Sequence, residues 1–150
     1  MRKTKVIFLC IGNSARSQMA EAFLKRYVGD LFEVYSAGFE PQPINPYTIQ
    51  VMEELGYDMS NQYSKNLKQY LGKVHFGIVI TVCAKAEEKC PTILGVSTRL
   101  YLPFEDPAAY EGSEEEKLAK FKVVRDQIHG QIKTWLKERG ILKSNLGEIT

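Results

Sequence analysis

What most constrains the fold of this 150-residue chain is an alternation of two spacings. Short apolar runs that end at glycine or proline are separated by segments with helical spacing. Val6 to Cys10 is such a run, stopped at Gly12, and reads as a buried strand. Ser17 to Tyr27 follows as a helix, with Met19, Ala20, Phe23, Leu24 and Tyr27 on one face. Phe32 to Ser36, closed by Gly38, is a second strand, and "FGIVITV", Phe76 to Val82, a third. Arg99 to Leu102, before Pro103, is a candidate fourth. Between them, Asn45 caps a helix with Pro46 at its first position and Gly56 beyond its end. Ser113 and Glu116 form a capping box for a long helix whose apolar positions are Leu118, Phe121, Val124, Ile128, Ile132 and Trp135, with Gly140 as its stop. Strands alternating with helices predict an α/β fold: one domain, a central parallel sheet of about four strands, and helices on both faces. The domain is expected over residues 1–140, with 141–150 as a weakly ordered C-terminal tail.

The balance of charge narrows the function. A formal net charge of +2 with no basic cluster argues against nucleic-acid binding. Three cysteines, an odd number, do not suit a static disulfide framework, and free thiols fit a reducing cytoplasm. The start "MRKTKVIFLCIG" is basic then apolar, but Gly12-Asn13-Ser14 interrupts it too soon for a secretion signal. No stretch approaches the ~20 apolar residues of a spanning helix, so no membrane association is expected. His75 and His129 are isolated and suggest no metal site, and Trp135 reads as core.

In open parallel sheets, sites form beyond the carboxyl ends of the strands. Cys10 ends the first strand, Cys83 ends the third, and Asp106 follows the last, so all three should meet at one edge. The stretch after Cys10 carries the clearest chemistry. Residues 11 to 16, Ile11-Gly12-Asn13-Ser14-Ala15-Arg16, turn into a helix N-terminus whose backbone N–H groups can surround an anion. Gly12 leaves the turn unobstructed, and Asn13 tolerates left-handed geometry. Arg16 supplies a planar fork matching a tetrahedral oxyanion. Helix end and Arg16 both favour the thiolate of Cys10, and Ser17 is placed to donate to its sulfur. The loop therefore binds a phosphate-like anion and aims a nucleophile at its centre.

Cys-x5-Arg-Ser at the end of a first strand resembles the phosphate-binding loop of the low-molecular-weight tyrosine phosphatase superfamily. Within it, "RSQMAE", "YSAG" and "SNQ" look more like the thioredoxin-coupled arsenate reductases; the phosphatase branch has proline where Gln18 stands. The resemblance runs from about residue 5 into the long C-terminal helix. It implies reduction of arsenate to arsenite, with thioredoxin as reductant and no cofactor or metal. Two thiols closing to one disulfide supply the two electrons that arsenate reduction takes, whereas a phosphatase needs one cysteine. In this scheme Cys83 attacks Cys10 once arsenate is attached, and Cys90 then attacks Cys83 by thiol–disulfide exchange. On spacing alone, Cys83 and Cys90 read equally as small buried hydrophobes. The resemblance also makes Asp106 a mobile acid; the alternative is a turn aspartate before Pro107.

Some positions depart from the family. Ala15 stands where many members have a fourth cysteine, and Leu102-Pro103 where a Trp-Gly pair is usual. Some of these reductases hold a potassium ion beside the loop, and Asn13, Glu21 and Ser36 occupy the matching positions here. The remaining ligand, an acid, is replaced by Lys65. The ammonium of Lys65 is expected to take the place of the ion, unless it is merely a solvated surface lysine. The rival functions are a low-molecular-weight tyrosine phosphatase, a phosphocysteine carrier of sugar transport, and an oxyanion-binding redox sensor. The two alanines after Asp106-Pro107 count against a phosphotyrosine pocket, where tyrosine is usual, and Arg16 counts against the carrier.

Overall fold

The computed structural model describes residues 3–141. Four parallel strands form one sheet in the order β2-β1-β3-β4: β1 (Thr4–Cys10), β2 (Phe32–Gly38), β3 (Ile78–Thr81) and β4 (Thr98–Tyr101). Among the described residues four α-helices accompany them: α1 (Arg16–Val28), α2 (Pro46–Glu53), α3 (Ala84–Lys89) and α4 (Glu114–Glu138). The parallel α/β fold is as the alternation predicts. The third strand is shorter than its apolar run, because only Ile78 to Thr81 pair with β1; Phe76 and Val82 are buried beside the ladder rather than in it. The expected tail lies outside the described residues except for Ile141.

The two sheet faces are covered differently. Val6, Phe8, Val34, Ile78 and Ile80 point to one side, where α1, α2 and α4 bury Met19, Phe23, Met52, Phe121 and Ile128 against them. Alternate residues Ile7, Leu9, Ala37 and Val79 point to the other, as the two-residue period of a strand requires. That side is closed by a 3-10 turn at Leu67–Gln69 and by the chain around Phe76, Ile93 and Val96.

The caps follow the sequence. Asn45 accepts from the Tyr47 amide with Pro46 next in line, and Ser113 and Glu116 make both halves of the capping box. Gly56 and Gly140 take positive φ just past α2 and α4. Trp135 is buried against Phe32. Among the described residues no helix is long and apolar enough to cross a membrane.

Candidate active site

Cys10 is the last residue of β1, buried, at the carboxyl edge of the sheet. Its sulfur lies 2.9 Å from the Ser17 hydroxyl on the first turn of α1. Between them the chain turns through residues 11–15, and the outward hydrogen bonds of this loop define its shape. The Ile11 carbonyl accepts from Glu40 N (2.9 Å) and that of Gly12 from Gln42 N (2.8 Å). The Asn13 carbonyl accepts from Gln18 Nε2 (2.9 Å) and the Ser64 hydroxyl (2.9 Å). That of Ser14 accepts from Asn45 N (3.0 Å) and the Thr48 hydroxyl (3.1 Å), and that of Ala15 from Met19 N (3.0 Å). In a trans peptide, C=O and the following N–H point oppositely. With five successive carbonyls engaged, the N–H groups of residues 12–16 are turned away from these partners, as a backbone anion cradle requires.

Asn13 holds the loop from within. It is fully buried, with φ of 50°, the left-handed region that asparagine tolerates. Its Nδ2 donates to Ser17 (2.8 Å) and Ser36 (2.9 Å), and its Oδ1 accepts from Gln18 Nε2 (3.0 Å) and Lys65 N (2.9 Å). Gly12 is not the glycine the turn depends on. A Cβ there would make ordinary contacts of 3.5 Å or more, whereas one on Gly38 would lie 2.4 Å from the Ile11 carbonyl oxygen and 3.0 Å from Asn13 N. The close approach belongs to the end of β2, where the loop folds back over the sheet.

Lys65 is buried rather than a solvated surface lysine. Its Nζ lies 3.4 Å from Glu21 Oε1 and 3.3 Å from Ser36 Oγ; Ser36 in turn donates to Glu21. Burial lowers its pKa and the Glu21 carboxylate opposes that shift. The ammonium lies against Glu21 and Ser36, while the Lys65 backbone N–H bonds Asn13.

The other side chains converge from the strand ends. The amides of Leu102 and Phe104 donate to the carbonyls of Thr81 (2.9 Å) and Val82 (3.0 Å), which carries the chain beyond β4 alongside the end of β3. Leu102 and Phe104, in the stretch without the usual Trp-Gly pair, pack against the core. Asp106 then caps a 3-10 turn, its Oδ1 accepting from Ala108 N at 3.0 Å. Arg16 crosses to this loop: Nη1 donates to the Phe104 carbonyl (3.1 Å), and Nη2 lies 3.8 Å from Asp106 Oδ2.

A cavity of about 580 Å³ opens here, lined by Ile11, Arg16, Cys83, Lys85, Phe104 and Asp106 among others. Cys10 is not in its lining. Cys83 is buried at the N-cap of α3, and Cys90 is the half-buried C-cap of the same helix. All three cysteines are free thiols. Burial pushes the Cys90 thiol up; Arg99 pulls it down and Glu87 adds to the rise. His75 lies at the opposite end of the sheet, beside Gly77 and Lys5. Lys85, a cation facing the cavity, has no signal in the sequence, where it reads as one charge in a charged helix. The Glu40 and Gln42 amides, which hold two of the loop carbonyls, are equally invisible there, because backbone donors leave no pattern.

Residues 5–145 match the family model of the low-molecular-weight phosphotyrosine protein phosphatases. An arsenate reductase of Halalkalibacterium halodurans is 44% identical over 135 residues, which is 90% of this chain and 96% of that protein. A solved arsenate reductase in the phosphate-binding state superposes with a TM-score of 0.71 at 29% identity, over 90% of this chain and 98% of its own. A thioredoxin-dependent arsenate reductase of Corynebacterium glutamicum superposes with a TM-score of 0.58 at 27% identity, over 88% of this chain and 63% of its own. The chain belongs to the low-molecular-weight phosphotyrosine protein phosphatase family, on its arsenate reductase branch.

Proposed function

We propose that this protein reduces arsenate to arsenite through three cysteines and is regenerated by thioredoxin in the cytoplasm. The observation that carries the reading is the joining of two functions at one edge. An oxyanion loop with Arg16 and Asp106 shares its cleft with a second thiol, Cys83, which one short helix links to a third, Cys90. Hydrolysis would leave the last two without work.

The chemistry balances as follows. The oxyanion binds to the N–H groups of the loop and to Arg16. The Cys10 thiolate, steadied by the Ser17 hydroxyl, attacks arsenic(V), and Asp106 protonates the departing oxygen, which leaves as water. The Cys83 thiolate then attacks the Cys10 sulfur. An S–S bond forms, the S–As bond breaks, and its electron pair leaves with arsenic, now arsenic(III). The Cys90 thiolate attacks Cys83, forming the Cys83–Cys90 disulfide and releasing Cys10 as thiolate. Thioredoxin, a dithiol, takes over the disulfide by the same exchange. A Cys10 thiolate in an oxyanion cradle also gives weak hydrolysis of aryl phosphates. Lys65 serves as a fixed cation that steadies Glu21, Ser36 and Asn13 beneath the loop.

The test is NADPH consumption by thioredoxin and thioredoxin reductase upon addition of arsenate. Sustained turnover dependent on this protein is expected. Aryl-phosphate hydrolysis without any arsenate-dependent oxidation would assign a phosphatase instead.

A further inference from the structure

The link between Cys83 and Cys90 is held in one shape by groups outside the thiol chemistry. Both cysteines flank α3, whose backbone bonds run from Glu87 N to the Cys83 carbonyl (3.1 Å) and from Cys90 N to the Ala86 carbonyl (2.9 Å). Seven residues of helix rise about 10 Å. A disulfide needs its Cα atoms about 4.4–6.8 Å apart. The helix must open for the pair to close.

Four hydrogen bonds oppose that opening, and all involve Glu87 or Arg99. The Glu87 carboxylate uses both oxygens: Oε2 accepts from the buried Thr81 hydroxyl on β3 (2.6 Å), and Oε1 from Arg99 Nη2 on β4 (2.7 Å). The same guanidinium reaches main-chain carbonyls on either side of Cys90, that of Pro91 from Nη1 (3.3 Å) and that of Glu87 from Nη2 (3.5 Å). One arginine thus ties residues 87–91 to the edge strand while its charge faces the carbonyl end of α3, where a cation is favoured. A second tether, Lys89 to Glu40 at 2.9 Å, joins two exposed side chains and contributes little.

We infer that Glu87 and Arg99 form a latch that keeps residues 83–90 helical while the cysteines are thiols, and that its release sets how readily Cys83 and Cys90 close into a disulfide. The inference rests on the relay proposed above. Arg99 is a positioning residue: it hydrogen-bonds neither oxyanion nor sulfur, and its hold is on the backbone that carries Cys90. Because the latch favours the dithiol form, removing it shifts the equilibrium toward the disulfide. The effect is visible in a potential rather than only in a melting curve.

The experiment equilibrates the full chain, in a Cys10→Ser background so that only Cys83 and Cys90 can pair, with mixtures of reduced and oxidised glutathione. The protein dithiol and one glutathione disulfide exchange to the protein disulfide and two glutathione thiols. Arg99→Ala and Glu87→Gln are each expected to favour the disulfide about tenfold, a potential about 30 mV more negative. Arg99→Lys, which keeps the charge but loses the fork, falls between. Amide exchange across 84–90 accelerates in both variants in the dithiol form and not in the disulfide form. If the parent forms no Cys83–Cys90 disulfide at any glutathione ratio, the relay fails and the latch with it. If the parent forms it and both variants match the parent's equilibrium constant, the latch is overturned and the relay stands.

Discussion

Replacing Asn13 by alanine isolates what the side chain contributes to the loop. Four buried hydrogen bonds disappear: those to Ser17 and Ser36, and those from Gln18 and the Lys65 amide. The partners are affected unequally. Ser17 keeps its contact with Cys10, Ser36 keeps Glu21, and Gln18 keeps the carbonyls of Asn13 and Tyr63. The Lys65 amide loses the acceptor that Asn13 supplies. At about 0.5–1.5 kcal/mol for each bond, the bonds amount to about 2–6 kcal/mol. A residue held at φ of 50° without the local bonding of asparagine adds about 1–2 kcal/mol. The expected loss is about 3–8 kcal/mol, a large part of the ~5–15 kcal/mol that holds a domain folded. Urea unfolding followed by circular dichroism measures it. In parallel, competition by phosphate against aryl-phosphate hydrolysis should weaken, because the N–H groups of the loop are no longer held in one arrangement. A variant within 1 kcal/mol of the parent, with unchanged phosphate competition, would refute the claim that Asn13 shapes the cradle.

Other outcomes follow from the same geometry. Cys10→Ser should abolish both arsenate reduction and aryl-phosphate hydrolysis, while Cys83→Ser and Cys90→Ser lose catalytic arsenate turnover and keep hydrolysis; equal loss of hydrolysis in all three folded variants would contradict the division of labour. Activity and melting temperature should be the same in potassium and in choline at matched ionic strength, since the Lys65 ammonium occupies the position beside Glu21 and Ser36, and Lys65→Asp should acquire a potassium dependence; a potassium-specific gain in the parent would oppose this. His129 stacks on Phe23 with ring centroids 4.3 Å apart and bonds the Tyr27 hydroxyl at 2.8 Å. Burial, with Lys133 and Arg125 nearby, lowers its pKa against the pull of Asp126. Its contribution is therefore complete above about pH 6.5 and is lost as pH falls through the lowered value. The stability advantage of the parent over His129→Asn, read from urea midpoints, should shrink between pH 7.5 and 5; an advantage that grows on acidification would reverse the sign.

Much of this was legible in the sequence because burial leaves periodic marks. The apolar run ending at Cys10, the helical face from Met19 to Tyr27 and the capping box at Ser113 each carry a local signal, and each element forms near its expected place. Helix α3 carries almost none: six residues, mostly charged, with Ala86 alone buried. Its only marks in the sequence are the cysteines at its two ends. Gly38 was legible as a strand end but not as the point where the loop presses on the sheet, since that contact joins residues 25 or more apart. Arg99 illustrates the same limit. On an edge strand it reads as an ordinary exposed cation, and its grip on the chain around Cys90 exists only once β4 lies beside α3.

The most direct measurement of the central claim is disulfide mapping after a single encounter with arsenate, without thioredoxin. The protein is mixed with excess arsenate, free thiols are blocked with an alkylating agent, and peptides are identified by mass spectrometry. The account predicts one equivalent of arsenite released, a disulfide joining Cys83 to Cys90, and an alkylated Cys10; in Cys90→Ser the disulfide joins Cys10 to Cys83. Three alkylated cysteines with no arsenite, after an incubation in which the same sample hydrolyses aryl phosphate, would contradict it.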